Sequence, residues 1–513
     1  PQTREGPQVP VQRFQFEGNT LLSDAELEKV VDPWLGKKLT MAELQFIADT
    51  VAERFRQEGY LVRTYLPQQE VDDGSIRIVV VEARLGKVKI DPGEAQQLRL
   101  SPDYARAMVS ARQQPSEILA LDDLQRGIQL LSDTPGVEAV GVLAAGEEEG
   151  HTDVVVRVSD EPLVAGDVTL DNAGSRSTGE ARIRPSLTLN NMSGSGDQLK
   201  LATQFSSGSQ YARLRYGRAL GHDGLRGGLS ASHFRYELGE EFEALDFEGD
   251  ATTLGADMRY PLIRERVHNL NLIARVAWRD YEDRAFGNTT SDKSVRALTL
   301  GIDGNLMDSL GGGGFNYYNL ALVAGNLDLS DNPQELARDK SGPRRDGSYQ
   351  KFTANLGRQQ RLDDKTSLLI SLRGQVAGDN LDSSEDFGLG GVAGVRAYPG
   401  LEGSGDEGVL ASLELSRRLT PSLTAMVFYD HGWVREHKDF WSGWNLNNPD
   451  QPRSYELNGA GVGLNWSWRD QLNVRGYAAR RFGSNPVANP TTGKDADGTL
   501  RSTRFWLTAT YSF

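Results

Sequence analysis

Two oppositely charged residues stand out by type and by their surroundings. Arg396 lies in a glycine-rich stretch, residues 388–408, that reads GLGGVAGVRAYPGLEGSGDEG. Asp430 lies in residues 424–432, TAMVFYDHG, whose alternation as a β-strand places Asp430 and Phe428 on one face. The opposite face carries lipid-compatible residues, namely Leu423, Ala425, Val427 and Tyr429. A guanidinium and a carboxylate can form two parallel charge-assisted hydrogen bonds, so Arg396 and Asp430 are candidates for a specific polar contact.

The glycines of residues 388–408 could instead belong to a phosphate-binding loop. Such a loop follows a buried strand and opens a helix. Here Tyr398-Pro399-Gly400 begins a turn, so nucleotide binding is not expected. An ordinary solvated surface loop is the alternative that these residues alone leave open.

The composition offers little to an enzyme. There are no cysteines, which excludes thiol catalysis and a disulfide framework. The six histidines are scattered, and no metal-binding spacing such as His-x-x-Glu-His occurs. A Ser-His-Asp set assembled from distant segments is left open, but no nucleophile-elbow motif supports one. We therefore expect no enzymatic activity, no metal and no cofactor.

Length and charge bound the class of protein. A chain of 513 residues indicates two or more structural units. The formal net charge of -15 argues against a nucleic-acid partner. No run of about 18 apolar residues predicts a membrane-spanning helix, whereas the strands of a membrane barrel alternate and stay compatible with this sequence. No signal segment follows Pro1, so an exported protein would be a processed or truncated form here.

The N-terminal third predicts two small α/β modules, at residues 11–84 and 85–161, after an extension at residues 1–10. The extension holds three prolines and cannot sustain a helix. Both modules have the order β-α-α-β-β. In the first, the strands are 11–17, 61–66 and 75–82, and the helices are 23–36 and 40–57. In the second, the strands are 87–90, 137–143 and 153–158, and the helices are 102–110 and 121–133.

Residues 162–513 change character to alternating segments separated by Gly, Asn, Asp and Ser turns. Residues 269–280 and 504–513 alternate most clearly. Charged residues on one face and aliphatic or aromatic residues on the other are typical of a water-filled lumen inside a lipid-facing wall. A two-sheet sandwich, with its apolar face inward, is the alternative. Strand-and-loop units of roughly 20 to 25 residues predict about 14 to 18 strands, and an even number is usual.

Three segments between the predicted strands are assigned to turns and loops. Residues 311–314 are four glycines and predict a flexible turn. Residues 326–347 include seven charged residues between Glu335 and Asp346, and residues 433–453 include three tryptophans. Both are predicted to be long exposed loops, which could contact a partner or only lie at the surface.

The tetrapeptide Val395-Arg396-Ala397-Tyr398 resembles a known motif. It is close to the VRG(Y/F) sequence in the sixth extracellular loop of POTRA-bearing outer-membrane transporters, a loop that folds into the barrel. Ala397 stands where the family usually has glycine. The resemblance implies that residues 388–408 fold inward.

The strand motif Phe428-Tyr429-Asp430 resembles the Phe-x-Asp motif of the same family. In that family the aspartate pairs with the arginine of the tetrapeptide. The resemblance implies that Arg396 bonds Asp430 in the lumen, with Phe428 beside it.

Further phrases, in the family's order, resemble the two-partner secretion (TpsB) transporters in particular. They imply two POTRA domains followed by a barrel of sixteen transmembrane strands, a mainly β fold. The family's members usually begin with a pore-plugging helix, which residues 1–10 do not match. The phrases are Phe16-x-Gly18-Asn19, Leu130-Leu131-x-x-x-Pro135-Gly136-Val137, Asp171-Asn172-x-Gly174-Ser175, Gly196-Asp197-Gln198-Leu199, Tyr260-Pro261-Leu262 and residues 409–415.

The resemblance also implies a function. A TpsB transporter is an outer-membrane pore, with its POTRA domains in the periplasm, that exports an unfolded TpsA-type exoprotein, such as a β-helical adhesin, haemolysin or toxin. A terminal Phe513 after alternating residues resembles the signal read by the barrel-assembly machinery. An open edge of a POTRA sheet could hold the client as an added strand, although the domains could also be spacers or oligomerisation modules.

Two other functions are weighed against this one. An outer-membrane insertase of the barrel-assembly type would share the inward loop but usually carries more POTRA units. A passive porin or receptor has no reason to carry such modules. The TpsB assignment is therefore favoured over both.

Overall fold

The computed structural model describes residues 7–513 except 72, 94, 96, 401, 447, 448 and 450. The chain divides into two compact units. One consists of residues 1–161 with the short segments 193–196 and 221–224, and the other contains the rest of the chain. Of the predicted extension at 1–10, residues 1–6 lie outside the described residues.

The first α/β module has one more strand pair than predicted. β1 pairs with β3, and Thr40 at the end of β3 then caps α2 through a reciprocal pair of hydrogen bonds with Glu43. In the main sheet, β5 lies between a parallel β2 and an antiparallel β4. The elements are β1 (Gln8–Pro10), β2 (Arg13–Glu17), α1 (Asp24–Val31), β3 (Lys38–Thr40), α2 (Met41–Gln57), β4 (Val62–Tyr65) and β5 (Ser75–Glu82).

Helix α2 supplies much of the core of this module. Its apolar residues recur at helical spacing, so that one face is buried while the other stays in water. Phe55 is fully buried, whereas Met41 on the same helix is 68% exposed. The buried residues of the helix are Leu44, Ile47, Ala48, Val51 and Phe55.

The second module repeats this order with a three-stranded sheet. β8 is central, with a parallel β6 on one side and an antiparallel β7 on the other. Leu124, Leu130 and Leu131 of α4 are buried in its core. The elements are β6 (Arg84–Asp91), α3 (Pro102–Val109), α4 (Leu121–Ser132), β7 (Val137–Ala145) and β8 (His151–Asp160).

The C-terminal unit is a closed barrel of sixteen antiparallel strands, which confirms the predicted number. The last strand closes it by pairing with the first, from Thr508 opposite Asp171 to Ser512 opposite Asp167. Closure satisfies the backbone of every strand on both sides, as a membrane requires. The strands are β9 (Val164–Asp171), β10 (Arg182–Asn190), β11 (Gln198–Phe205), β12 (Ser209–Ala219), β13 (Arg226–Glu237), β14 (Phe247–Arg264), β15 (His268–Ala285), β16 (Asn288–Asp308), β17 (Gly314–Asp328), β18 (Gly347–Arg361), β19 (Thr366–Ala377), β22 (Glu407–Arg418), β23 (Leu423–Arg435), β24 (Ser454–Trp468), β25 (Leu472–Arg481) and β26 (Thr503–Ser512). Two short strands between β19 and β22 lie outside the barrel sheet: β20 (Phe387–Gly388) and β21 (Ser404–Gly405).

The two faces of the barrel wall differ as the alternation predicts. On β15, Leu272, Val276 and Trp278 are about half exposed on the outer surface (47%, 51% and 48%). Arg279, the next residue, faces the lumen instead and donates a hydrogen bond to Glu385, which lies between β19 and β22. The apolar face therefore points outward, and the sandwich alternative is wrong.

The four longest connections, which follow β17, β19, β23 and β25, all lie at the same end of the barrel. The structure corrects the prediction that residues 326–347 form a long exposed loop. Strand β17 continues to Asp328, helix α5 (Pro333–Ser341) follows, and Leu329 and Asp339 are buried. The predicted loop at 433–453 also begins too early, because Trp433 still belongs to β23.

No helix in the described part of the chain is long and apolar enough to cross a membrane.

Replacing Phe55 by alanine should unfold the first module at lower denaturant concentration. Removing a fully buried phenylalanine costs about 3–5 kcal/mol, because it loses apolar burial and leaves a cavity. Urea unfolding of the purified protein, followed by the helical circular dichroism signal, measures the change. The exposed Met41→Ala is the matched control on the same helix, and equal effects of the two substitutions would contradict the described core.

Candidate functional site

The segment between β19 and β22 is a hairpin rather than a solvated loop. β20 pairs with β21, and the pairing continues where Leu389 N–H donates to Gly403 O at 2.8 Å and Gly390 N–H to Glu402 O at 2.9 Å. The side chains near its tip are buried: Leu389, Val395, Ala397 and Tyr398 are at most 1% exposed. This segment, residues 378–406, is called the inward hairpin below.

Arg396 at the tip of the inward hairpin meets a set of acidic and hydroxyl groups on β22 and β23. Its Nε donates to one carboxylate oxygen of Asp430 at 2.9 Å, and its Nη2 donates to the other at 2.8 Å. Its Nη1 donates to Glu414 at 2.8 Å and its Nη2 to Ser412 at 3.2 Å. Asp430 is 0% exposed and Arg396 6%, so the charges face each other away from bulk water.

Aromatic rings complete the surroundings of this guanidinium. Its central carbon lies 3.4 Å from the ring centroid of Phe428 and 4.9 Å from that of Tyr477. Such a placement over ring faces favours a cation. Trp506 Nε1 donates to the backbone oxygen of Arg396 at 2.7 Å. The structure thus brings together Arg396, Asp430 and Phe428.

Several partners of Arg396 were not predicted. Glu414 and Ser412 lie on β22, and Asp430 and Phe428 lie opposite them on β23. The alternation of a β-strand, applied to residues 409–415, would have placed Ser412 and Glu414 together on the lumen face. Nothing in the sequence around Tyr477 or Trp506 indicates that these residues contact Arg396.

Glycines of the wall make room for the tip. A Cβ added to Gly459 on β24 would lie 2.4 Å from the Cβ of Ala397. A Cβ added to Gly432 on β23 would lie 2.7 Å from a methyl carbon of Leu389. Any side chain at these two wall positions would therefore push the tip away. Ala397 itself does not adopt a positive φ, so alanine fits where the resembling family has glycine.

The returning limb of the inward hairpin is covered by the loop between β25 and β26. Glu402, which is 0% exposed, accepts hydrogen bonds from Asn485 Nδ2 at 2.5 Å and from Ala496 N–H at 2.7 Å. Asp495 of the same loop binds Arg481 and Arg504. The tip and the returning limb thus have separate contacts with the rest of the barrel unit.

Two aspartates near the base of the inward hairpin titrate abnormally. Burial, with Asp406 and Asp382 close by, raises the pKa of Asp386 to about 7, although the Ser404 hydroxyl and Lys351 oppose the shift. Burial likewise raises the pKa of Asp406 to about 6. Deprotonation of both groups therefore falls near neutral pH.

Among the described residues, no group of three or more His, Asp or Glu side chains is arranged to hold a metal ion.

Comparison with known protein families was made on the whole chain. The model of the haemolysin secretion/activation protein ShlB/FhaC/HecB family matches residues 150–466, more than half of the chain. The chain belongs to the ShlB/FhaC/HecB family. The ShlB-type POTRA domain model matches residues 9–83, which cover the first α/β module.

Individual relatives are more distant. The heme/hemopexin transporter protein HuxB of Haemophilus influenzae (strain 86-028NP) is 27% identical over 521 residues, covering 99% of this chain and 87% of HuxB. The outer membrane transporter CdiB of Dickeya dadantii is 25% identical over 451 residues, covering 85% of this chain and 78% of CdiB. The structure of CdiB from Escherichia coli has a TM-score of 0.77 at 22% identity, covering 100% of this chain and 92% of that one, and shows the same fold.

Membership of the family decides between the functions weighed above. This ShlB/FhaC/HecB member is a two-partner secretion transporter of the outer membrane, with POTRA domains in the periplasm and a TpsA-type exoprotein as its client. The family's members are transporters. The match supports export over the insertase alternative.

The inward hairpin should loosen as the pH rises. Because the pKa of Asp386 is raised from 3.8 to about 7, the closed hairpin binds this proton more tightly than an open hairpin would. The stabilisation is complete below about pH 4 and is lost progressively until the pH has risen through about 7. We expect the basal conductance of the purified transporter in planar bilayers to rise between about pH 4 and pH 7.

The Asp386→Asn variant is the control for this pH dependence. It should remove the part of the rise that Asp386 contributes, because its side chain carries no titrating proton, and leave the part that Asp406 contributes. An unchanged rise in Asp386→Asn would show that another group is responsible.

Proposed function

We propose that the inward hairpin is the gate of this transporter and that the Arg396–Asp430 pair is its latch. The observation that carries the proposal is the bidentate contact at 2.8 and 2.9 Å between a buried guanidinium and a fully buried carboxylate inside the lumen. A hairpin folded into the lumen lies in the path that an unfolded chain would take. Export then requires the hairpin to move.

The latch suits a gate because it is strong and also reversible. Removing one partner of a buried ion pair costs about 3–5 kcal/mol, since the other charge is left without compensation. Within an intact pair the same contacts break and re-form without covalent chemistry. The proposed mechanism uses binding and conformational change and needs no catalytic residue, which agrees with the expectation that the protein is not an enzyme.

The client in this proposal is a large exoprotein that crosses unfolded and folds outside as a β-helix. Folding at the surface supplies direction, because it removes the exported segment from the unfolded pool in the lumen. The units involved are the POTRA domains at 11–84 and 85–161 and the barrel at 162–513. The apolar outer wall contacts outer-membrane lipid, and the barrel-assembly machinery inserts the barrel.

Client docking is best supported at the free edge of β7. This strand pairs only with β8 among the described strands. The part of β7 that follows Ala139 exposes Val140 (55%), Val142 (60%) and Leu143 (40%) to solvent. An extended peptide added there would gain backbone hydrogen bonds as well as apolar contact. The spacer alternative gives no reason for an unpaired apolar edge.

Arg396→Ala should abolish most export while the barrel stays inserted. The loss of about 3–5 kcal/mol at the latch mispositions the hairpin tip. The measurement is the appearance of a two-partner-type secretion domain outside cells, with periplasmic marker proteins as the leakage control. Arg275→Ala, an exposed arginine on β15, is the matched control and should export normally.

The paired charge reversal tests the contact itself. Arg396→Asp with Asp430→Arg should recover part of the export that each single reversal loses. Wild-type export by Arg396→Ala would remove the latch from the mechanism.

Val140→Asp with Val142→Asp should weaken client binding at β7. Full burial of each valine contributes about 1.5 kcal/mol or more, so Kd for the secretion domain should rise at least about tenfold. Isothermal titration calorimetry on the detergent-solubilised transporter measures it. Tyr65→Asp on the edge strand β4, where Tyr65 is 40% exposed, is the matched control. If only Tyr65→Asp weakens binding, the client docks on the first module instead.

A further inference from the structure

A second group of ion pairs holds the descending limb of the inward hairpin, 11 to 14 residues before Arg396 at its tip. Both carboxylate oxygens of Asp382 accept from Lys293 Nζ at 2.9 Å. Glu385 pairs with Lys351 Nζ at 2.8 Å and with Arg279. These five residues are called the outer anchor.

The two carboxylates of the outer anchor are buried. Asp382 and Glu385 are 3% and 4% exposed, and the side chains of Lys293 and Lys351 are each 10% exposed. Surface ion pairs contribute little because water and salt screen them. Buried pairs differ, because removing one partner strands the other charge. In burial, and therefore in the cost of removing one partner, the ion pairs of the outer anchor resemble the Arg396–Asp430 pair rather than the exposed ion pairs of the loops.

The two sites have opposite polarity. At the tip, a cation of the hairpin meets carboxylates on β22 and β23, the strands that follow the hairpin. At the outer anchor, carboxylates of the hairpin meet cations on β15, β16 and β18, strands that precede it. The hairpin is thus tied to two different parts of the wall by two sets of charges that share no residue.

The outer anchor also connects to the neighbouring long loops. Arg345 Nη1 donates to Asp382 at 3.5 Å, and its Nε donates to Asp339 of α5 at 3.0 Å. Asn380, two residues before Asp382, donates to the backbone oxygens of Pro343 at 2.7 Å and Asp439 at 2.9 Å. Two other long loops, the one between β17 and β18 and the one between β23 and β24, are therefore bound to the hairpin near the outer anchor.

We propose that Asp382 and Glu385 are positioning residues that form a second latch, which must open independently of Arg396 before the lumen is free. The inference rests on the proposed function of the hairpin as the gate. It predicts that loss of the outer anchor makes opening more frequent, because only the tip contacts then hold the hairpin in the lumen. A residue that serves only folding would instead reduce the amount of inserted barrel without changing the conductance of each barrel.

The test uses the full chain reconstituted in planar bilayers. Asp382→Asn with Glu385→Gln should raise the open-to-closed ratio about a hundredfold, the shift expected when a buried ion pair is lost. The triple variant that adds Arg396→Ala should be open more often than either parent. Asp379→Asn, an exposed carboxylate on the same limb, is the matched control and should behave as wild type.

The reversed pair Asp382→Lys with Lys293→Asp tests direct contact. It should restore a low open-to-closed ratio relative to each single reversal. If the double neutral variant does not insert, Glu385→Gln alone is measured and should also raise the ratio. Wild-type conductance in all inserted outer-anchor variants, together with altered conductance in Arg396→Ala, would overturn the second latch and leave the gate intact. Unchanged conductance and export in Arg396→Ala would instead overturn the gate itself.

Discussion

The placement of one guanidinium inside a closed barrel is the constraint on which the rest of the site depends. Arg396 is 6% exposed, and burying an unpaired cation to this degree would be prohibitive. The site supplies Asp430, Glu414, Ser412 and two aromatic rings, and each of these comes from the barrel wall. The wall can provide them only because its strands alternate, with apolar residues toward lipid and polar residues toward the lumen.

Space is the second requirement of the same site. Charged partners on two adjacent strands would be useless if the wall kept the hairpin at a distance. Gly432 and Gly459 remove that obstacle, because a Cβ at either position would overlap the tip. The site therefore combines strong polar contacts with a shallow recess, which lets the hairpin bind its own barrel closely.

Much of this was predictable from the sequence, and the reasons are local. Alternation identifies strands, helical spacing identifies α2 and α4, and the face of Asp430 follows from its neighbours in one strand. The number of barrel strands came from resemblance together with segment length. The tetrapeptide at 395–398 marks the hairpin because a resembling motif exists, and not because its composition differs from that of a surface loop.

The remainder could not be predicted, because the contacts join segments distant in the chain. Asp382 and Glu385 lie in a run of polar residues, and nothing nearby shows that their partners are Lys293, Lys351 and Arg279, between 34 and 106 positions away. The burial of Asp339 in a segment rich in charge has the same cause. Short strands such as β1 and β3, each of three residues, carry too few positions for alternation to be recognised.

The most direct test of the central claim, that the hairpin leaves its place during export, is a reversible covalent lock. The chain has no cysteine, so Asp382→Cys with Lys293→Cys introduces one thiol pair at two positions whose native side chains are in contact. A bifunctional thiol reagent, attached through disulfides that reduction cleaves, then joins the hairpin to β16. Export of a secretion domain is measured before and after reduction, with each single-cysteine variant treated with the same reagent as control. The gate predicts that export stops in the cross-linked form and returns on reduction. Equal export in both forms, with the cross-link present and the barrel inserted, would contradict it.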